Sequence, residues 1–118
     1  MTTVGVDLSG GPRWPLAHLS GVIDLSNVEA LGARLERAVT NHALGLVLDL
    51  SGVTYLDSTG VRLIYRLARE LGDRQQSLRL VVPDGSRIRR VLVLAGVASV
   101  ALVVQDRQEL ARHEEEAP

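Results

Sequence analysis

Apolar and polar positions along this chain follow two different periods. Short apolar runs rich in Val, Leu and Ile predict strands, whereas apolar residues that recur every three to four positions predict amphipathic helices. The five predicted strands are Val4–Leu8, Leu16–Ile23, Leu46–Leu50, Leu78–Val82 and Val100–Val104. A helical pattern follows each strand except the first, which gives the order β-β-α-β-α-β-α-β-α. This order predicts a single small α/β domain with a mostly parallel mixed sheet of about five strands and about four helices.

Capping residues and glycines predict where the helices begin and end. The first helix has a capping box at Ser26–Glu29 and an end near Asn41 or His42, and the second starts at Ser58 and ends at Gly72. The third has a cap at Asp84 or Ser86 and an end at Gly96, and the fourth begins with a capping box at Asp106–Glu109. The third helix is expected to turn Ile88, Val91, Leu92 and Ala95 inward.

The segment Asp57-Ser58-Thr59-Gly60 carries the strongest chemical signal. It follows a predicted strand and a region read as a turn, Ser51–Leu56, and it opens the second predicted helix. Asp or Ser at a helix start is what capping chemistry prefers, so a simple N-cap is one interpretation. Unpaired amides and a partial positive charge also let a helix N-terminus tolerate an added phosphate. Ser58 is therefore a candidate phosphorylation site as well as a candidate cap.

Loops beyond the carboxyl ends of parallel strands are where sites gather in such sheets. Three loops are expected to share that edge: Asp24–Asn27, Tyr55–Thr59 and Pro83–Ser86. They would bring together carboxylates and hydroxyls with few basic groups. Arg62, Arg66 and Arg69 form a stripe on the helix that follows, which is either a solvated face or the flank of a partner-binding edge.

Composition narrows the classes of function. The 118 residues suit one domain over 1–118, with 1–3 and 113–118 expected to fray. A formal net charge of −1 gives no support for nucleic-acid binding. The chain has no Cys, which excludes disulfides and cysteine chemistry, and no Lys, which excludes Schiff-base chemistry. The uncharged run Val91–Val104 is too short to span a membrane, and no secretory signal is evident, so a cytoplasmic protein is expected.

Two enzyme-like or receiver-like interpretations fit the residues poorly. A serine hydrolase needs a base near Ser58 and usually the elbow Gly-x-Ser-x-Gly, which is absent. None of the three histidines, His18, His42 and His113, has a predicted route to Ser58. A response-regulator receiver would use Asp57 as phosphoacceptor but needs a lysine. No residue set has metal-ligand spacing, so no metal is expected. No catalytic activity and no cofactor are expected either.

Four segments in order resemble STAS domains over nearly the whole chain. They are Ser20–Asp24, Val47–Ser51, Tyr55–Val61 and Arg89–Val97. Among STAS domains the chain is most similar to the stand-alone bacterial anti-sigma factor antagonists. The segment Arg13-Trp14-Pro15 matches no family feature, and the second hydroxyl of the motif belongs to Thr59 rather than a serine.

The resemblance implies a function and a site. In that family the serine after the motif aspartate, here Ser58, is phosphorylated by a partner anti-sigma factor that is an ATP-dependent serine kinase, with Thr59 as a less favoured acceptor. The unphosphorylated protein binds this partner and frees a sigma factor, and a monomer or weak dimer is expected. The residues expected to contact the partner are Asp24, Ser26, Asn27, Asp57, Ser58, Thr59, Gly60 and Arg62. The alternative is a STAS scaffold subunit of a lipid-transport or stress-signalling complex, in which Ser58 only caps a helix.

Overall fold

The computed structural model of the protein describes residues 3–116, and their order of elements matches the predicted one. The strands are β1 (Val4–Gly10), β2 (Pro15–Ile23), β3 (Gly45–Leu56), β4 (Ser77–Val81) and β5 (Leu102–Val104). The helices are α1 (Val28–Ala38), α2 (Ser58–Asp73), α3 (Arg87–Leu94) and α4 (Arg107–Glu116), with a short 3-10 helix at Val97–Ser99.

The strands form one sheet in the order β1-β2-β3-β4-β5. The β1–β2 pair is antiparallel, and the three pairs that follow are parallel. The prediction of a small α/β domain with a mostly parallel mixed sheet is therefore confirmed. Alternate β3 residues face opposite sides: Leu46 and Leu48 belong to the main core under α1, α2 and α3, whereas Val47 packs with Leu110 of α4 on the other face.

Strand β3 is longer than its apolar run predicts. The segment Ser51–Leu56, expected to be a turn, continues the strand and pairs with β2 as far as Ile23↔Leu56. Two register shifts accommodate this pairing, and each places one extra residue in β3 relative to β2. The expectation was wrong because Ser51 and Gly52 read as turn residues, while hydrogen bonding to β2 satisfies the backbone in extended form.

Helix α1 begins and ends away from its expected boundaries. Its N-cap is Asn27 rather than Ser26, and no side-chain cap bond accompanies it. The helix ends at Ala38, before the predicted end near Asn41 or His42, because Val39 adopts an extended conformation and turns into the core. The predicted capping box at Ser26 is thus wrong, because the N-cap lies one residue later without a side-chain cap bond and the Ser26 hydroxyl donates to Asp24.

Helix α2 passes through Gly72 and ends only after Asp73, so Gly72 is not its terminating residue. Gln75 takes the left-handed conformation there, with φ +57°. Its amide donates to Gly72 O at 3.0 Å and the Gln76 amide to Leu71 O at 2.8 Å, which is the Schellman arrangement with Gln at the position that Gly usually fills. The Gln76 side chain then donates to two backbone carbonyls, which fixes the exit into β4.

The ends of α3 are where the sequence predicts them, but its inward face differs. Ser86 caps the helix by accepting from the Arg89 amide at 3.1 Å, and Gly96 ends it with φ +74°. Ile88 and Leu92 are buried, whereas Val91 is 38% exposed. The run Val91–Leu94 is apolar on every side of the helix, so spacing could not choose its buried face. The last strand also starts later than predicted, at Leu102, because the 3-10 helix precedes it.

An ion pair joins α4 to the sheet. Asp49 is 3% exposed and accepts from Arg107 at 2.9 and 2.8 Å and from the Ser51 amide at 2.9 Å. Burial raises the pKa of Asp49, but the bonds from Ser51 and Arg107 outweigh it and leave the pKa below its ordinary value. Asp106 caps α4 by accepting from the Glu109 amide, and Glu109 reaches back to the Gln105 amide, close to the predicted capping box.

The predicted fraying of the termini falls only partly within the described residues. Residues 1–2 and 117–118 lie outside them. Thr3 accepts a backbone hydrogen bond from Val22 at 3.2 Å, and α4 continues through Glu116. Over residues 3–116, no helix has the length and apolar character needed to cross a membrane.

Candidate functional site

Two of the three predicted loops meet at the carboxyl end of the sheet. Ile23 and Leu56 end β2 and β3 as a pair, and the Asp57 amide donates to Ile23 O at 3.3 Å. The third loop, Pro83–Ser86, lies away from the other two along the strand direction, because β4 pairs with β3 only as far as Asp49↔Val81. The seven residues of β3 from there to Leu56 span roughly 20 Å. The expected three-loop edge is therefore a two-loop site.

Asp57 is the cap of α2. Its carboxylate accepts from the Thr59 amide at 2.9 Å, from the Gly60 amide at 3.4 Å and from the Thr59 hydroxyl. The hydroxyl bond is the largest influence on this group and, together with the two amides, lowers the pKa of Asp57. Partial burial and the nearby negative charge of Asp24 oppose this without reversing it. The carboxylate is thus held ionised over the first turn of the helix.

Ser58 is the first residue of α2 and is exposed. No hydrogen bond reaches its hydroxyl from any side chain or backbone group among the described residues. Thr59 differs, since it is half-buried and its hydroxyl is engaged by Asp57. The helix cap and the accessible hydroxyl therefore belong to different residues, Asp57 and Ser58.

The neighbouring loop is braced internally. Asp24 accepts from the amide and the hydroxyl of Ser26, at 2.9 and 2.6 Å. Asn27 accepts from the Asp24 amide at 3.1 Å and donates to Val22 O at 2.8 Å. These bonds hold the loop in one shape beside Asp57, and they leave the Leu25 side chain 75% exposed at its tip. Internal hydrogen bonds therefore hold the predicted contact residues of this loop in a fixed arrangement near Ser58.

Gly60 and Arg62 lie on different sides of α2. Gly60 is buried, and a Cβ there would come within 2.7 Å of the Leu56 side chain, so glycine lets the first turn of the helix pack on the end of β3. Arg62 is exposed one turn after Ser58. Of the predicted contact residues, Gly60 therefore serves packing, and the others lie at or near the surface.

An open groove of about 930 Å³ runs along α2 beside this site. Its lining residues are Leu25, Val28, Glu29, Thr59, Arg62, Leu63, Tyr65, Arg66, Ala68, Arg69 and Val100. Leu25 belongs to a loop expected at this edge, but neither its place in a groove nor that of Val100 follows from the sequence, because the groove depends on how three separate segments meet. Tyr65 braces its floor, since its hydroxyl donates to Ala95 O at 2.6 Å.

The three arginines of the predicted stripe all line this groove, but they are not equivalent. Arg66 lies between two carboxylates, 3.6 Å from Glu36 on α1 and 3.7 Å from Glu70 on α2. Gly32 makes room for it, since a Cβ there would meet the Arg66 guanidinium. Burial, and then the hydrogen bond and charge of Glu36, raise the pKa of Glu70. Arg66 therefore joins two helices, while Arg62 and Arg69 have no ion-pair partner within the described side chains.

Across the part of the chain that the structure describes, no three His, Asp or Glu side chains come together as metal ligands. The arrangement consists of an exposed hydroxyl, a fixed carboxylate and an adjoining apolar groove with two exposed arginines. Such a surface is suited to binding another protein.

Comparison with known proteins agrees with this fold. The family model described as "Mlab, STAS domain" matches residues 12–105. The protein named "Putative anti-sigma factor antagonist BtrV", from Bordetella bronchiseptica, is 32% identical over 97 residues, covering 81% of this chain and 82% of BtrV. The anti-sigma-F factor antagonist RsfB of Mycobacterium tuberculosis is 34% identical over 80 residues, which cover 67% of this chain and 63% of RsfB. The chain belongs to the STAS domain family.

Solved structures show the same fold. SpoIIAA, an anti-sigma factor antagonist, in its unphosphorylated form superposes with a TM-score of 0.72 at 19% identity, over 97% of this chain and 100% of that one. The Bacillus cell fate determinant SpoIIAA in its phosphorylated form gives a TM-score of 0.66 at 20% identity, over 92% and 98% of the two chains.

Proposed function

We propose that this protein is an anti-sigma factor antagonist that is controlled by phosphorylation of Ser58. In its unphosphorylated form it binds an anti-sigma factor that is also a serine kinase, in the cytoplasm, and thereby releases a sigma factor. It acts as a binding regulator and not as an enzyme. The observation that supports this most directly is the exposed Ser58 hydroxyl, unused by the helix cap and set beside the fixed carboxylate of Asp57.

The names of relatives support the same class of partner. BtrV and RsfB are both named as anti-sigma factor antagonists, and RsfB is named for an anti-sigma-F factor. SpoIIAA has been solved in a phosphorylated form, so a protein of this fold accepts the modification. The accessible hydroxyl of Ser58, compared with the engaged hydroxyl of Thr59, favours Ser58 as the acceptor here.

The effect of a phosphate follows from where it would lie. It would add about 1.5–2 negative charges beside Asp57 and near Asp24. The α2 N-terminus offsets part of this, by about 0.3–1 kcal/mol at an exposed position, so the fold would survive. In a packed interface, juxtaposed like charges cost several kcal/mol. A loss of about 2.8 kcal/mol already weakens binding about a hundredfold.

The test uses the serine-kinase anti-sigma factors encoded in the same genome. Calorimetry should show tight binding of the wild-type protein and of Ser58→Ala to one of them, and at least hundredfold weaker binding of Ser58→Asp. Incubation with that kinase and ATP, followed by mass spectrometry, should place the phosphate on Ser58. Ser77→Asp, an exposed serine at the opposite edge of the sheet, should bind like wild type. Equal affinities for Ser58→Ala and Ser58→Asp would refute the switch.

A constitutive scaffold is the second candidate, and one observation favours it. The matched family model is described by the name Mlab, not as an anti-sigma factor antagonist. In that case the protein would assemble with its partner without modification, and Ser58 would stay unphosphorylated in the presence of every serine-kinase anti-sigma factor tested.

A further inference from the structure

The groove beside Ser58 combines an apolar lining with two unpaired cations. Leu63, Ala68 and Val28 contribute apolar surface, and the side chains of Arg62 and Arg69 lie along it. Both arginines are exposed, and neither has an ion-pair partner within the described side chains, although the charge of Arg69 partly offsets the burial that raises the pKa of neighbouring Glu70. An apolar channel bordered by unpaired positive charge is complementary to an apolar surface that carries carboxylates.

The groove has the length of a helix segment. On α2 its lining begins at Thr59 and ends at Arg69, with members three and four residues apart. These ten helical steps correspond to about 15 Å, or nearly three turns. Exposed apolar side chains mark both ends: Leu25 extends from the loop beside Asp57, and Val100 also lies beside Ala68 and Gly72 in an adjoining cavity. A partner helix of about three turns would therefore fit along α2.

The charges within the groove also restrict how that helix lies. Glu29 lines the groove from α1, so carboxylates of the partner would be repelled from that wall. Arg66 is already shared between Glu36 and Glu70 and offers little further attraction. Arg62 and Arg69, seven residues and two turns apart on α2, remain to attract the partner. These two arginines would face acidic residues of the partner helix that also lie about two turns apart.

We propose that this groove docks an amphipathic helix of the anti-sigma factor, with its apolar side against Leu63 and its acidic residues against Arg62 and Arg69. The proposal rests on the proposed function, whose partner it describes in more detail. Arg62 lies four residues after Ser58 on the same helix, within reach of a phosphate on that serine. A phosphate there competes with the partner's carboxylates for Arg62, which adds to the repulsion from Asp57.

Charge reversal tests the docking surface. We expect Arg62→Glu and Arg69→Glu each to weaken binding of the anti-sigma factor by about fivefold, and the double reversal by tenfold or more. Arg34→Glu is the matched control and should stay within twofold of wild type, because Arg34 on α1 is exposed, has no ion-pair partner among the described side chains and does not line the groove. Leu25→Asp should weaken binding without changing the melting temperature, because Leu25 is exposed in the unbound protein.

The outcomes separate this inference from the proposed function. If Ser58→Asp abolishes binding while both arginine reversals and Leu25→Asp bind like wild type, the function stands and the groove is not the docking surface. If the wild-type protein binds none of the anti-sigma factors, the proposed function fails, and a helix of an anti-sigma factor is not the occupant of the groove. A wild-type dimer that the double reversal dissociates, with unchanged affinity for the anti-sigma factor, would make a second copy the occupant and overturn the proposal.

Discussion

Replacing Asp57 by Ala should destabilise the protein, whereas replacing its neighbour Ser58 by Ala should not. The Asp57 carboxylate accepts from two amides and one hydroxyl in the first turn of α2. Loss of an acidic N-cap costs about 0.5–2 kcal/mol, and the favourable charge at the helix N-terminus adds about 0.3–1 kcal/mol to that range. We therefore expect Asp57→Ala to lower the free energy of unfolding by about 1.5 kcal/mol, or roughly 5 °C in melting temperature. Ser58→Ala should remain within about 0.5 kcal/mol of wild type.

The pH dependence provides an independent check on the same carboxylate. Its hydrogen bonds lower the pKa of Asp57 in the folded protein, so its stabilising effect is complete above the unfolded pKa of about 3.9 and disappears as the pH falls through the folded value. Urea unfolding at neutral pH and at several values below 4 should show the difference between wild type and Asp57→Ala shrinking in acid. Asp57→Asn keeps an acceptor oxygen without the charge and should fall between the two.

Two results would refute this reasoning. If Asp57→Ala and Ser58→Ala are equally stable at neutral pH, the cap does not hold the first turn of α2. If the Asp57→Ala difference persists unchanged at the lowest pH, its cause is packing and not the ionised carboxylate. An unchanged urea m-value is the control that both variants unfold from the same compact state.

Two further predictions concern the ends of helices. Gln75→Gly should stabilise the protein by about 0.5–1 kcal/mol in thermal unfolding, because glycine adopts φ +57° without the steric strain that Gln has there. Gly72→Ala is the control and should not destabilise the protein, since Gly72 lies inside α2 with free space around it. A destabilised Gln75→Gly variant would contradict the left-handed conformation of Gln75. Arg107→Ala should destabilise the protein by about 1 kcal/mol, a reduced value because the arginine is half exposed, and should speed hydrogen exchange in α4. Arg112→Ala, also on α4, is its control, and equal exchange in both variants would show that the Asp49 ion pair does not anchor the helix.

The sequence predicted the order of elements because each strand and helix carries its own apolar period. The caps at Ser86 and Asp106 and the stop at Gly96 were predicted correctly, since each depends on a few adjacent residues. Two other local signals failed, namely the stop at Gly72 and the capping box at Ser26. The remaining failures occurred where distant segments decide the outcome. Pairing with β2 extends β3 through Ser51 and Gly52, and the core selects Leu92 over Val91 on a helix that is apolar all round.

The site was predictable only in part for the same reason. Asp57 and Ser58 follow from the motif, and the structure adds the hydrogen bonds by which the amide and hydroxyl of Thr59 engage Asp57. The groove did not follow, because Leu25 and Val100 are distant in sequence and no local period links them to α2. The single engaged arginine of the stripe, Arg66, is explained by Glu36 on another helix, which spacing along α2 does not show.

The separation of the cap from the exposed hydroxyl has an evolutionary consequence. Asp57 contributes to folding whether or not the protein is regulated, whereas Ser58 contributes nothing to the helix that holds it. A lineage that no longer needs the switch would therefore be free to lose Ser58 by drift, while selection for a folded domain would still retain Asp57 and the buried Gly60. Under the proposed function, regulation would be lost by substitution of Ser58 alone and regained by its reversal, without passing through an unstable intermediate.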